Sequence, residues 1–261
     1  MSDALILNLF IFLFFVFTVL ENYYKPKLSK IEKIGRQISP VVLFLLIVIG
    51  TTFVIYFLIY GPRQFVSLYL KFLLSALVLS HALWISLKKN FLTKLIFLVA
   101  SLIFIATRFI YPSTFNHNLL ILAAVIWLAP FFTYLNLMTK KRFLIISGLW
   151  FLYDIIFVWL TPLAQGVIST TKIIDFSLAL TSGKSSIGIA DLFWAGFLLS
   201  LLKKTRSKFI AIFILIGSNF MLEFYARNIS RISLFPLLVL WVPLGILIIF
   251  YEKQTNPGRL L

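Results

Sequence analysis

The chain has 261 residues, of which 61% are hydrophobic and 12% charged, with a mean hydropathy of +1.04. Soluble domains carry about 45–50% apolar and about 25% charged residues, so a soluble enzyme and a disordered chain are both excluded. The net charge of +16 does not signal nucleic acid, because the Lys and Arg residues fall almost wholly in short gaps between apolar runs.

Nine apolar runs follow one another, each about long enough to cross roughly 30 Å of hydrocarbon. They cover about 4–20, 41–60, 65–87, 95–111, 119–138, 143–163, 185–202, 209–225 and 233–251. The expected fold is an all-α integral membrane protein with nine transmembrane helices and one membrane domain over 1–261. The first run lacks a basic leader and a small-residue cleavage site, so it reads as a retained helix rather than a signal peptide. The segment Glu21–Pro40 is basic and amphipathic, suited to the anionic inner leaflet of a lipid bilayer. The long connection Ala164–Lys184 reads as an outer loop with a β-prone stretch over Thr170–Phe176.

Orientation follows from the basic residues. Of the 24 Lys and Arg, 17 follow the odd-numbered spans, whereas Lys71 and Arg108 lie within spans. That bias places the N-terminus outside and the C-terminus in the cytoplasm. The chain has no cysteine and two histidines, hence no disulfide framework, no thiol nucleophile and too few imidazoles for most metal centres. No metal, cofactor or nucleic acid is expected. HExxH and GxSG are absent, and Ser80 and His81 are adjacent residues on different helix faces, not a dyad.

Six of the eight acidic residues fall at membrane ends or in loops, with Glu223 near the outer end of the eighth span. Asp154 in the sixth span and Asp191 in the seventh fall inside the hydrocarbon. Each lies about 11 residues, roughly 16 Å, from the cytoplasmic end of its span. Consecutive antiparallel helices therefore carry two carboxyls to one level. An ionised Asp at a helix centre costs about 2.5–3.5 kcal/mol even on the lenient insertion scale, which marks both as functional candidates. Depth alone leaves three readings open: a water-activating pair, the proton relay of a proton- or cation-coupled transporter with Glu223 near its mouth, and a buried structural contact.

The surroundings of these residues resemble a known family. Tyr153-Asp154, followed by an aromatic-rich apolar run, resembles the YD motif of the presenilin and signal peptide peptidase family. Gly188-Ile189-Ala190-Asp191 resembles its GxGD motif on the next helix. Pro236-Leu237-Leu238 stands where its PAL motif is expected, with Pro243 seven residues later as in signal peptide peptidases. The resemblance covers about 143–251. Two positions depart from the pattern: Ala190 replaces the second glycine and Leu237 the alanine, and both are expected to crowd the site or leave a catalytically silent helix-binding relative.

The resemblance implies an intramembrane aspartyl protease of GxGD type, with Asp154 and Asp191 as catalytic residues and 143–261 as the catalytic helices behind N-terminal helices in 1–142. Tyr153, Gly188, Ala190, Pro236, Leu237 and Leu238 would shape the site, the Tyr153 hydroxyl reaching toward the pair or the substrate. Partners would be transmembrane-helix substrates, type II or signal-peptide-like, because the sixth span runs from cytoplasm to exterior as in signal peptide peptidase. An unwound substrate would pair as an added β-strand. The short loops suit a minimal form in a prokaryotic plasma membrane.

Overall fold

The structure, a computed structural model, describes residues 3–23, 38–87, 89–161, 163–173, 177–183, 185–228 and 237–255. The helices are α1 (Asp3–Glu21), α2 (Pro40–Tyr60), α3 (Arg63–Ser86), α4 (Phe91–Ile110), α5 (Thr114–Val125), α6 (Leu128–Tyr134), α7 (Lys140–Ile155), α8 (Leu163–Ile173), α9 (Ile189–Leu201), α10 (Thr205–Asn228) and α11 (Leu237–Gln254). Strands β1 (Ala179–Ser182) and β2 (Ser185–Gly188) form a hairpin directly before α9.

Among the described residues eight helical stretches are long and apolar enough to cross a membrane, counting α5 with α6 as one and α7 with its continuation to Leu160 as another. Helix α9 is apolar but shorter: its 13 residues cover about 20 Å. The seventh span was expected from 185, but 185–188 is strand and the helix begins only after Gly188. The fifth span is broken at Ile126–Trp127, ahead of Pro130, whose missing N–H leaves the preceding turn unpaired.

Helix α9 sits at the centre. Leu192, Trp194, Ala195, Leu198 and Leu199 are fully buried, against Leu7, Ile11, Phe14 and Phe15 of α1 and Trp241 of α11 in one continuous core. Helix α11 comes close because Gly245 carries no side chain: a Cβ there would lie 2.3 Å from the Trp194 ring. By contrast α2 and α4 turn Ile49, Phe53, Ile96 and Ile103 outward, faces suited to acyl chains rather than to water.

Several buried polar groups find partners across the bundle, as a low-dielectric interior favours. The Asn219 amide donates to Asn8 Oδ1 (3.2 Å) and the Trp194 indole N–H to Ser147 Oγ (2.8 Å). His81 bridges the Glu21 carboxylate and the Ala123 carbonyl, each at 2.9 Å, as befits a residue that is no nucleophile's partner. At one end of the bundle the Glu252 carboxylate accepts the backbone N–H groups of Lys203 (2.8 Å) and Lys204 (2.9 Å) and pairs with Lys140. One side chain thus joins the start of α7, the α9–α10 connection and the end of α11.

The connection between α7 and α9 differs from its sequence reading. Helix α8 occupies the front of what was expected to be loop and includes Thr170–Ile173 of the supposed strand; 174–176 lie outside the described residues. Burial of Ala164 and packing of Val167 on the core favour the helix over the local β preference. The strands lie further on, joined at Gly183 with φ +57°, a left-handed turn that glycine adopts freely. A Cβ on Gly183 would also lie 1.9 Å from Asp3 Oδ2, so the turn abuts the start of α1. Of the amphipathic segment Glu21–Pro40, residues 24–37 lie outside the described residues.

Candidate active site

Asp191 is the third residue of α9, and Gly188 is its N-cap. The Asp191 carboxyl turns back and accepts the Gly188 backbone N–H. This is one half of a capping box, in which a carboxylate at the third helical position satisfies an orphan donor at the cap. The three-residue spacing in Gly188-Ile189-Ala190-Asp191 is therefore a helix-start geometry. A Cβ on Gly188 would stand 3.3 Å from Asp191 Oδ2, tighter than an ordinary contact, so glycine leaves the carboxyl room.

Asp154 is the penultimate residue of α7, and the helix then widens into a π-helical segment, Ile156–Leu160. Such segments are rare and cluster at functional sites. The Asp154 carboxyl accepts the backbone N–H of Leu238, in the first turn of α11. It also stands within electrostatic range of Asp191. Its Oδ2 is shielded from solvent and has no hydrogen-bond partner among the described residues. Two half-buried carboxyls thus stand within electrostatic range of one another, each held through a backbone N–H, with one oxygen of Asp154 unengaged.

The other residues divide. Leu238 and Leu237 are buried beside the pair, at 1% and 6% exposure. Ala190 is exposed in the first turn of α9, whereas Leu237 fills core space. The Tyr153 hydroxyl hydrogen-bonds with Thr52 of α2 and its ring stacks on Phe157, 5.9 Å between centroids. That bond ties α7 to α2, and the Tyr153 hydroxyl also lies within electrostatic range of Asp154. Pro236 lies outside the described residues, and Pro243 lies within α11. The hairpin abutting Asp191 and the π-helical segment after Asp154 were not foreseen. Gly183 between two short Ser-containing runs was the available signal for the first; nothing in the sequence marks the second.

No family model matches the chain, and no curated protein matches it. A solved structure of a presenilin family intramembrane aspartate protease does match, with a TM-score of 0.60 at 16% identity, over 93% of this chain and 94% of that one. The chain is a multi-pass helical membrane protein with the presenilin-like fold.

Proposed function

We propose that the chain is an intramembrane aspartyl protease of GxGD type that hydrolyses peptide bonds inside transmembrane segments, with Asp154 and Asp191 as its catalytic residues. The observation that carries this reading is the pair itself: one carboxyl at the end of α7 and one at the start of α9, within electrostatic range, in a presenilin-like fold.

The chemistry needs one proton shared between them, as like charges so close do not both persist. The ionised carboxylate takes a proton from water as its oxygen attacks the scissile carbonyl carbon. The protonated partner gives its proton to the carbonyl oxygen, and a gem-diol forms. Transfer of a proton to the amide nitrogen then breaks the C–N bond and releases a carboxylic acid and an amine. Gly188 and Leu238 hold the two carboxyls through their N–H groups, while Leu237 shapes the wall on α11 and Ala190 the rim.

A substrate helix hides its peptide bonds, so it has to unwind before water reaches them. The β2 edge next to Asp191 offers an extended stretch of substrate a backbone to pair with. With the N-terminus outside, type II segments such as leftover signal peptides in a prokaryotic plasma membrane are the expected substrates. The test is cleavage of a type II transmembrane peptide by purified protein in detergent or vesicles, beside Asp154→Asn and Asp191→Asn, with products read by mass. Two fragments from the parent and none from either variant support the reading. No fragment from the parent with a panel of helices, and no binding of a hydroxyl-bearing transition-state mimic, sinks it.

A further inference from the structure

Asn118 of α5 is fully buried, and its carboxamide makes two hydrogen bonds to one residue of the hairpin. Its Nδ2 donates to the Thr181 carbonyl at 2.7 Å, and its Oδ1 accepts the Thr181 N–H at 2.9 Å. A carboxamide carries the same donor and acceptor as a peptide group. At Thr181 it therefore supplies what a neighbouring strand would supply.

The register explains why Thr181 is available. Ile189 N–H donates to the Leu178 carbonyl (3.0 Å), in line with the pairs Leu180↔Ile187 and Ser182↔Ser185. In an antiparallel ladder alternate pairs bond to one another, and the pairs between them turn their N–H and C=O outward. The outward residues are Ala179 and Thr181 on β1 and Ser186 and Gly188 on β2. Asn118 engages Thr181, and Asp191 takes the Gly188 N–H. Ser186 is exposed, on the edge away from α5.

The other restraints also fall on β1 and the turn. His117 Nε2 meets Ser177 Oγ at 3.2 Å, and Ser177 Oγ donates to the Ala179 carbonyl at 3.4 Å. The Asp3 carboxylate lies against Gly183. Neighbouring side chains thus pin the hairpin along one edge.

We propose that Asn118 is a positioning residue that stands in for a third strand on β1, fixes the height of the hairpin in the bundle, and thereby sets which substrate bond reaches Asp191 when an extended segment pairs with β2 at Ser186. The inference rests on the protease reading above, and its first test does not. In Asn118→Leu, which keeps the branched outline and removes both hydrogen bonds, amide exchange across 179–188 should quicken at least about tenfold, the weight of two such bonds. Unchanged exchange overturns the clamp whether or not the chain is a protease.

The second arm reads fragment masses with a transmembrane peptide. Asn118→Leu should spread cleavage over neighbouring bonds, while Ser186→Pro, which removes one outward N–H from an edge strand, should raise KM several-fold and leave hairpin exchange as it was. A faster-exchanging hairpin with unchanged fragment ratios shows that the hairpin does not set the register, which a purely supportive Asn118 would predict. Should Asn118→Leu fail to accumulate folded, Asn118→Asp carries the same two readouts, since it keeps an acceptor for Thr181 N–H and loses the donor. A parent that yields no fragments defeats the protease reading, and with it the register, while the exchange result still decides the clamp.

Discussion

The Leu238 backbone N–H donates to the Asp154 carboxyl, so one residue of α11 caps its own first turn with an acid borrowed from α7. Asp191 does the equivalent within its own helix, through Gly188. Both carboxyls therefore sit at the N-terminal, electropositive end of a helix. That placement offers negative charge the favourable end of each helix.

A substitution pair at Asp191 separates capping from chemistry. Asp191→Asn keeps a side-chain oxygen that can accept the Gly188 N–H, and should abolish cleavage while leaving thermal stability near that of the parent. Asp191→Ala should also abolish cleavage and, in addition, lose about 0.5–1.5 kcal/mol, the net worth of one hydrogen bond. Melting in detergent, followed beside cleavage, reads both. Equal stability of the two variants would show that the carboxyl is no cap.

Cleavage should depend on pH in a bell. The reaction needs one carboxyl ionised and the other protonated, so the rate falls at low pH as the base is protonated and at high pH as the shared proton is lost. The measurement is kcat/KM against pH in vesicles, and its two limbs belong to the pair rather than to either residue. A rate that rises and then stays flat to high pH would argue for a single working carboxyl.

Reading the sequence recovered the membrane helices because continuous apolar runs leave little else to be, and it singled out Asp154 and Asp191 as candidates because acids there are costly. It did not recover α8 or the strands. Helix α8 is amphipathic rather than apolar, so Ala164 and Val167 announce it only once a core exists to receive them. The strands are four residues each and mix Leu180, Thr181 and Ile187 with Ala, Ser and Gly, too short and too weakly β-prone to stand out, whereas Thr170–Ile173, with three β-branched residues, ends a helix. A lone Asn118 in an apolar run carries no local signal, since its partner is 63 positions away.

The two departures from the family pattern should respond differently when reverted. Leu237 is buried, so Leu237→Ala leaves a cavity and should cost about 2–5 kcal/mol. Ala190 is exposed in the first turn of α9, so Ala190→Gly loses only helix preference, about 0.5–1 kcal/mol. Thermal melts of both variants check this, with cleavage measured in parallel. If Leu237→Ala were neutral and Ala190→Gly severe, the assignment of Leu237 to the packed interior would be wrong.

Gly245 offers a test of how helix spacing governs the pair. It faces Trp194, and a Cβ there would meet Trp194 Cη2 at 2.3 Å, Cζ2 at 2.9 Å and Leu198 Cδ2 at 3.1 Å. Trp194 is fully buried, with its indole N–H committed to Ser147 of α7, so the ring has little freedom to withdraw. Gly245→Val therefore has to push α11 away from α9, at a cost of about 1–3 kcal/mol for overpacking. Leu238 rides on α11 and Asp191 on α9, so the same push draws the Leu238 N–H from Asp154 and misaligns the pair. Cleavage should fall by more than the loss of folded protein accounts for. A companion Trp194→Phe in the Gly245→Val background relieves part of the clash and should recover cleavage in proportion to stability. Recovery of stability without recovery of cleavage would show that the α9–α11 spacing is not what aligns the two carboxyls.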